Sequence, residues 1–316
     1  MKKIKVGVVD SSALLHRARF VSLKEGCDIF VKFLEYIQEF QRKLRCDRII
    51  LCNDTHTSRY RLEIDPEYKA HRGKYDKPPS DSEIEAKKLM KSLQYNLHLL
   101  SPYFINGNLI GVEADDVIGM LLNDSELKDE FELIAISPDK DMLGAIHISK
   151  IFNTNKNDFR PSKDLKGCKN RNEFLLFQSF FSDSTDTLLT LKGIGEKTAL
   201  KLVDRFKSFK ELKTFLSDTS NWENEKDRYL KKAYNILSTE EGWETLGKIF
   251  KIVNIFRDTS LLNDSELLRY NQIKQELIDY IPLDFEITED LDNFVLENNF
   301  DYDVFDMLEV ITDRFN

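Results

Sequence analysis

Three short apolar runs stand out along the chain: Lys5-Val6-Gly7-Val8-Val9, Arg48-Ile49-Ile50-Leu51-Cys52 and Glu132-Leu133-Ile134-Ala135-Ile136. None alternates polar with apolar, which is the pattern of a strand covered on both faces. Between the first two, Phe30, Phe33, Leu34, Ile37 and Phe40 recur at helical spacing. Between the second and third, Ser80-Asp81-Ser82-Glu83 has the form of a capping box and predicts a helix start, with Ile84, Leu89, Met90, Leu93 and Leu97 as its apolar positions. Strands alternating with helices predict an α/β protein: a central, mostly parallel sheet flanked by helices. From Phe174 the pattern turns mostly helical, broken at Gly193-Ile194-Gly195 and resuming from Ala199 to Phe206. Pro282 marks a loop in the last third.

Each of the three predicted strands runs into acid. Asp10 ends the first, Asp54 follows the second, and Asp139 and Asp141 follow the third; Glu113, Asp115 and Asp116 precede another apolar stretch. A lone Asp after a strand usually caps a helix, and a pair such as Asp183 and Asp186 usually sits on a solvated face. Together they read differently, because the carboxyl ends of parallel strands share one rim. So many anions cannot all ionise side by side without a neutralising cation. An all-oxygen donor set suits Mg²⁺ or Mn²⁺, and two such ions suit phosphoryl transfer. The five histidines are scattered and the four cysteines unpaired in spacing, which disfavours zinc and a disulfide framework.

Lys69 and Arg72 lie three apart in Tyr68-Lys69-Ala70-His71-Arg72, on one face if that segment is helical, and could grip a scissile phosphate. Tyr68 beside them could stack on an unpaired base. Lys192, Gly193, Gly195 and Lys197 form a glycine turn with free backbone N–H groups and a basic surround, suited to nucleic-acid phosphates. The net charge of −9, from 46 Lys+Arg against 55 Asp+Glu, speaks against such a partner only superficially. Most of the acidic excess lies beyond Asn263, where Asp284, Glu286, Asp290, Asp301 and Asp306 face few bases. No apolar run nears the ~20 residues that span a bilayer, and the N-terminus lacks a signal-peptide pattern, so a reduced cytoplasmic setting is expected.

In order along the chain, Val9-Asp10, Asn53-Asp54, Tyr68–Arg72, Gly111–Asp116, Ser137–Asp141, Asp183–Asp186 and Gly193–Ala199 resemble the bacteriophage-type 5′→3′ exonuclease/flap endonuclease family, kin of the N-terminal nuclease domain of bacterial DNA polymerase I. The resemblance runs from Val6 to about Phe209. It implies a PIN-like or resolvase-like nuclease core, a helical arch at about 69–101 and a helix-hairpin-helix-type region that tracks duplex DNA. It implies a replication enzyme cleaving phosphodiester bonds at 5′ flaps or ends, including RNA-primed ones. By similarity, Asp10, Asp54, Glu113, Asp115, Asp116, Asp139 and Asp141 hold metal, Asp183 and Asp186 complete a second site, Lys69 and Arg72 grip phosphate, and the hairpin binds K⁺. Departures are Ser182 before Asp183, Gln178 where a basic residue is common, and Thr187-Leu188-Leu189-Thr190 after Asp186.

The expected organisation is a core over 1–170, a duplex-binding region over 171–235 and an acidic, helix-rich region over 236–316 packing on the core or contacting a replication protein. A monomer is the default, in the host cytoplasm if phage-encoded. Two other readings stay open: a non-catalytic junction-binding relative, and a ribonuclease acting on structured RNA.

Overall fold

The computed structural model describes residues 3–70, 78–161, 165–181, 189–255, 257–280 and 285–313. A six-stranded sheet lies at its centre, in the order β3-β2-β1-β4-β5-β6. The strands are β1 (Ile4–Asp10), β2 (Arg48–Cys52), β3 (Ile105–Asn106), β4 (Phe131–Ile136), β5 (Lys150–Asn153) and β6 (Asp158–Phe159). All pairs are parallel except β5 with β6. The sheet is thus mostly parallel, as the continuous apolar runs require, and the antiparallel strand sits at one edge. β3, β5 and β6 carried no sequence signal, being two to four residues long.

Alternation along β1 divides the core. Val9 points into a cluster with Phe30, Phe33, Ile37 and Phe40 of α2 (Ile29–Leu44), whereas Val6 and Val8 join Val117, Ile118 and Leu121 of α5 (Ala114–Asn123). The predicted stripe of α2 is therefore its buried face. α1 (Ser11–Glu25) packs against α2 and against α4 (Asp81–Asn96). The Ser80–Glu83 capping box is formed, and α4 buries Met90 and Leu93. Gly107 sits where β3 approaches β2 closely: a Cβ there would lie 2.7 Å from Ile50 Cγ2, 2.8 Å from Cys52 Sγ and 3.1 Å from Leu51 O. Gly107→Ala is expected to destabilise the fold by about 1–3 kcal/mol, read by urea denaturation.

Beyond β6, α7 (Arg171–Phe180), α8 (Glu196–Arg205), α9 (Phe209–Leu216), α10 (Arg228–Leu237) and α11 (Glu240–Val253) enclose a third apolar cluster around Phe177, Phe206 and Tyr234. α8 starts at Glu196, three residues before the expected Ala199, because the Gly195 carbonyl already accepts from the Thr198 and Ala199 N–H groups. The chain then returns to the sheet. α12 (Asp264–Ile278) adds Tyr270, Ile273 and Leu277 to one face, and α13 (Glu289–Glu297) and α14 (Asp303–Thr312) add Leu291, Val295, Leu308 and Ile311 to the other. Asp290, Glu297, Asp301, Asp303 and Asp306 remain exposed on the outside. Pro282 lies outside the described residues. Among the described residues, no helix is long and apolar enough to cross a membrane.

Candidate metal centre

Strand register places the acids on one rim. Asp10 pairs with Cys52 and Val9 with Ile136, so β1, β2 and β4 end at the same level. Asp10 is both strand end and helix cap: its Oδ1 accepts from the Ala13 N–H at 3.0 Å and its Oδ2 from the Ser137 hydroxyl at 2.9 Å. Burial pushes its carboxyl up to about 7, with Asp54 and Asp139 adding repulsion against those two hydrogen bonds. Asp54 is likewise raised, by burial first and then by Asp115. Its Oδ1 accepts from the Ala114 N–H at 2.7 Å, which ties the end of β2 to the first turn of α5. That turn carries Glu113, Asp115 and Asp116, which bring one carboxylate oxygen each within 4.8 Å of one another. The helix N-terminus favours negative charge there.

The third strand end is built from backbone. Asp139 donates its N–H to Ser137 Oγ at 3.0 Å, accepts the Asp141 N–H at 2.7 Å on Oδ1, and is exposed. Arg160 fixes the loop by donating to the Pro138 and Asp139 carbonyls. Asp141 accepts from Gln178 Nε2 at 2.6 Å. At the position where the resemblance leads one to expect a base, this chain holds an acid through an amide.

Arg61 is the functional residue that sequence reasoning missed. It lies on α3 (Arg59–Ile64), is 2% exposed, and pairs with Glu113, with Asp116 at 3.0 Å and with Asp115 at 3.5 Å. Its Nε donates to the Ile252 carbonyl at 3.1 Å, at the end of α11. Burial works against its charge, but Asp115, Asp116 and Glu113 outweigh that and hold it protonated. Arg61 and Lys69 likewise outweigh burial at Asp115, whose carboxyl is held below the usual range. Asp116 is pushed up to about 7, by burial first, and its Oδ2 has no hydrogen-bond partner among the described residues. The one signal available in the sequence was the need of three adjacent acids for a buried cation.

Lys69 reaches the cluster, its Nζ 2.8 Å from Glu113 Oε2. Helical geometry is not what brings it there: Lys69 has φ 59, in a turn, which corrects the expected helical face. Tyr68 is also corrected. It is 4% exposed, donates its hydroxyl to Glu113 at 3.2 Å and lies under Arg61, so it presents no open face to a base. Glu113 thus receives Arg61, Lys69 and Tyr68 on one oxygen and the Ser58 N–H on the other, at 3.3 Å. Arg72, Asp183 and Asp186 lie outside the described residues.

A cavity of about 390 Å³ is lined both by Asp115 and Asp141 and by Lys192 and Gly193 of the glycine turn. Gly193 has φ +104, a conformation that favours glycine, while the atoms a Cβ would meet belong to the flexible tip of Lys232. Gly195 opens α8 without a side-chain cap. Lys192, Gly195 and Lys197 are exposed.

A model of the 5′-3′ exonuclease N-terminal, resolvase-like domain matches residues 5–168. The chain belongs to this family. A 5′-3′ exonuclease of Mycoplasmopsis pulmonis is 26% identical over 227 residues, 69% of this chain and 72% of that protein. The flap endonuclease of Escherichia phage T5 is 24% identical over 178 residues, 55% of this chain and 61% of that protein. DNA polymerase I of Bacillus subtilis is 25% identical over 230 residues, 68% of this chain but 25% of the polymerase. Among solved structures, a phage T5 flap endonuclease complex with DNA and metal ions superposes with a TM-score of 0.70 at 17% identity, covering 86% of this chain and 98% of that one. At that identity the likeness establishes the fold. The expected family, sheet architecture and class of enzyme, a 5′→3′ exonuclease/flap endonuclease, are those found.

Proposed function

We propose that this 5′ nuclease cleaves phosphodiester bonds in DNA near single-strand/double-strand junctions, at 5′ flaps or ends, with two Mg²⁺ or Mn²⁺ ions. The observation that carries the reading is the raised, undercompensated pair Asp10 and Asp54 on the rim that also holds Asp115 and Asp139. Hard oxygen donors whose ionisation is resisted fit a divalent cation. Metal ions held there would supply an activated water and charge stabilisation at the departing oxygen. Asp10, Asp54, Asp115, Asp116, Asp139 and Asp141 would hold them directly or through water, with Asp183 and Asp186 completing the second site as the resemblance implies. Glu113, saturated by four donors, would serve from behind. Lys69 would turn from Glu113 to the scissile phosphate, joined by Arg72 from the arch.

The duplex would rest on the Lys192–Lys197 turn, with K⁺ at its carbonyls, and the 5′ strand would pass the arch at about 69–101. The core, duplex-binding and acidic regions would divide near residues 170 and 235. Exposed acids of α13 and α14 would keep duplex off that side and offer a surface to a replication protein. The enzyme would act as a cytoplasmic monomer. An end-labelled 5′-flap duplex, an RNA-primed duplex and a structured RNA, each incubated with and without Mg²⁺, test this. Metal-dependent cutting at the flap junction is expected. Tight flap binding without product would favour a non-catalytic junction binder, and preferential cutting of the structured RNA a ribonuclease.

A further inference from the structure

Just beyond α11, Arg257 closes that helix. Its Nε donates to the Asn254 carbonyl at 2.5 Å, and its Nη2 to the Lys251 and Ile252 carbonyls at 2.7 and 3.4 Å. A cation suits a helix C-terminus, where carbonyls lack partners. Capping alone needs no burial, however. The Arg257 side chain is 9% exposed, and its guanidinium lies 4.3 Å from the centre of the Tyr60 ring on α3. There the same Nη2 is 3.8 Å from Asp116 Oδ1.

Arg61 makes the matching pair of contacts. Its Nε donates to the Ile252 carbonyl and its Nη2 to Asp116 Oδ1 at 3.0 Å. Two arginines therefore span the same two oxygens, one at the end of α11 and one in the first turn of α5. Burying two like charges side by side is costly, and water could satisfy an exposed helix end instead. A buried ion pair is weak evidence for stability, and its better-attested use is to fix one arrangement. Here it fixes Asp116: Oδ1 faces both guanidinium groups, and Oδ2 has no hydrogen-bond partner among the described residues. α11 also packs on α7, whose Gln178 holds Asp141.

We propose that Arg257 is a positioning residue of the metal centre. Through Asp116 Oδ1 it sets the first turn of α5 against the end of α11, so that the acids of the rim keep register with the helices around the third apolar cluster. Its effect on the reaction rests on the metal-centre reading; the link to Asp116 rests on the geometry alone. Arg257 acts through Asp116, so its loss should appear in ion affinity and turnover and not in DNA binding.

Arg257→Met and Arg257→Lys, made in the full chain, test it. Urea unfolding in EDTA at pH 8 reads the link without metal: Arg257→Met should raise the unfolding constant about tenfold more in wild type than in the Asp116→Asn protein. Mn²⁺ binding without DNA, followed by the paramagnetic resonance of the free ion, should weaken about tenfold in Arg257→Met. Arg257→Lys, which keeps the charge but not the planar fork, should recover to within about threefold of wild type. On a 5′-flap duplex in Mg²⁺, kcat of Arg257→Met should fall about tenfold with KM nearly unchanged. A mere helix cap would lower stability equally in both backgrounds and leave Mn²⁺ affinity and kcat at wild-type values; either result overturns the proposal. If wild type binds no Mn²⁺ while the unfolding constants show the coupling, the metal-centre reading falls and takes the positioning role with it, and only the link to Asp116 stands. Mn²⁺ binding and cutting that Arg257→Met does not change remove the positioning role and leave the nuclease.

Discussion

Arg61→Met is expected to destabilise the protein by about 3–5 kcal/mol at pH 8, the largest effect foreseen for a single change of the fold. The side chain is 2% exposed and answers Glu113, Asp115 and Asp116. Methionine fills similar volume but removes the one cation shared by all three carboxylates, leaving Lys69 on Glu113 and Arg257 3.8 Å from Asp116. Asp115, held below the usual range chiefly by Arg61, then moves upward, and Asp116, already pushed up to about 7 by burial, moves further. A group raised in this way stabilises the fold at low pH and withdraws that contribution as pH climbs through its folded pKa. The deficit should therefore be smaller at pH 5 than at pH 8. Thermal or urea unfolding of the metal-free variant at both pH values measures it. Equal deficits would mean that Arg61 acts by packing and not by charge.

Asp10 makes the second large effect, and wild type shows it. Its folded carboxyl stands at about 7 against an ordinary 3.8, because burial opposes its charge. Between those values the metal-free folded state holds a proton that the unfolded chain releases, so the Asp10 contribution is present below pH 4 and is lost as pH rises to about 7. A divalent ion reverses the preference, since it binds the carboxylate. Metal affinity is accordingly expected to rise about tenfold per pH unit below 7 and to level off above it. Mg²⁺ titrations by calorimetry in buffers of different ionisation enthalpy should show at least one proton released per binding event at pH 6 and far fewer at pH 8. Asp10→Asn should reduce that release without abolishing it, because Asp54 and Asp116 are raised as well.

Legibility of the chain followed the range of the forces involved. The buried strands β1, β2 and β4 were visible because each is a continuous apolar run, and α2 because its stripe is regular. The short β3, β5 and β6 gave periodicity nothing to act on; they exist because neighbours offer an edge to pair with. α1 went unread because its buried residues include Ser11 and Ser12 beside Leu14, Leu15 and Ala18, so polarity does not mark its inner face. The acids were found because strand ends carry them to a common rim. Arg61 was not, because nothing in Arg59-Tyr60-Arg61-Leu62-Glu63 marks one base as buried, and its partners lie some fifty residues away or, at Ile252, far beyond. The neighbouring Lys69 was found for its charge but misplaced in its backbone, since a positive φ at a lysine has no local signature.

The central claim is that the rim of acids is a catalytic metal centre. Its most direct test compares wild type with Asp139→Asn on an end-labelled 5′-flap duplex across a Mg²⁺ titration, with flap binding measured in parallel. Asp139 is exposed and its substitution leaves the core untouched. The account predicts Mg²⁺-dependent cutting near the junction by wild type, and a folded variant that binds the flap but loses at least 100-fold in cutting rate. An Asp139→Asn protein that cuts as fast as wild type at every Mg²⁺ concentration would contradict it.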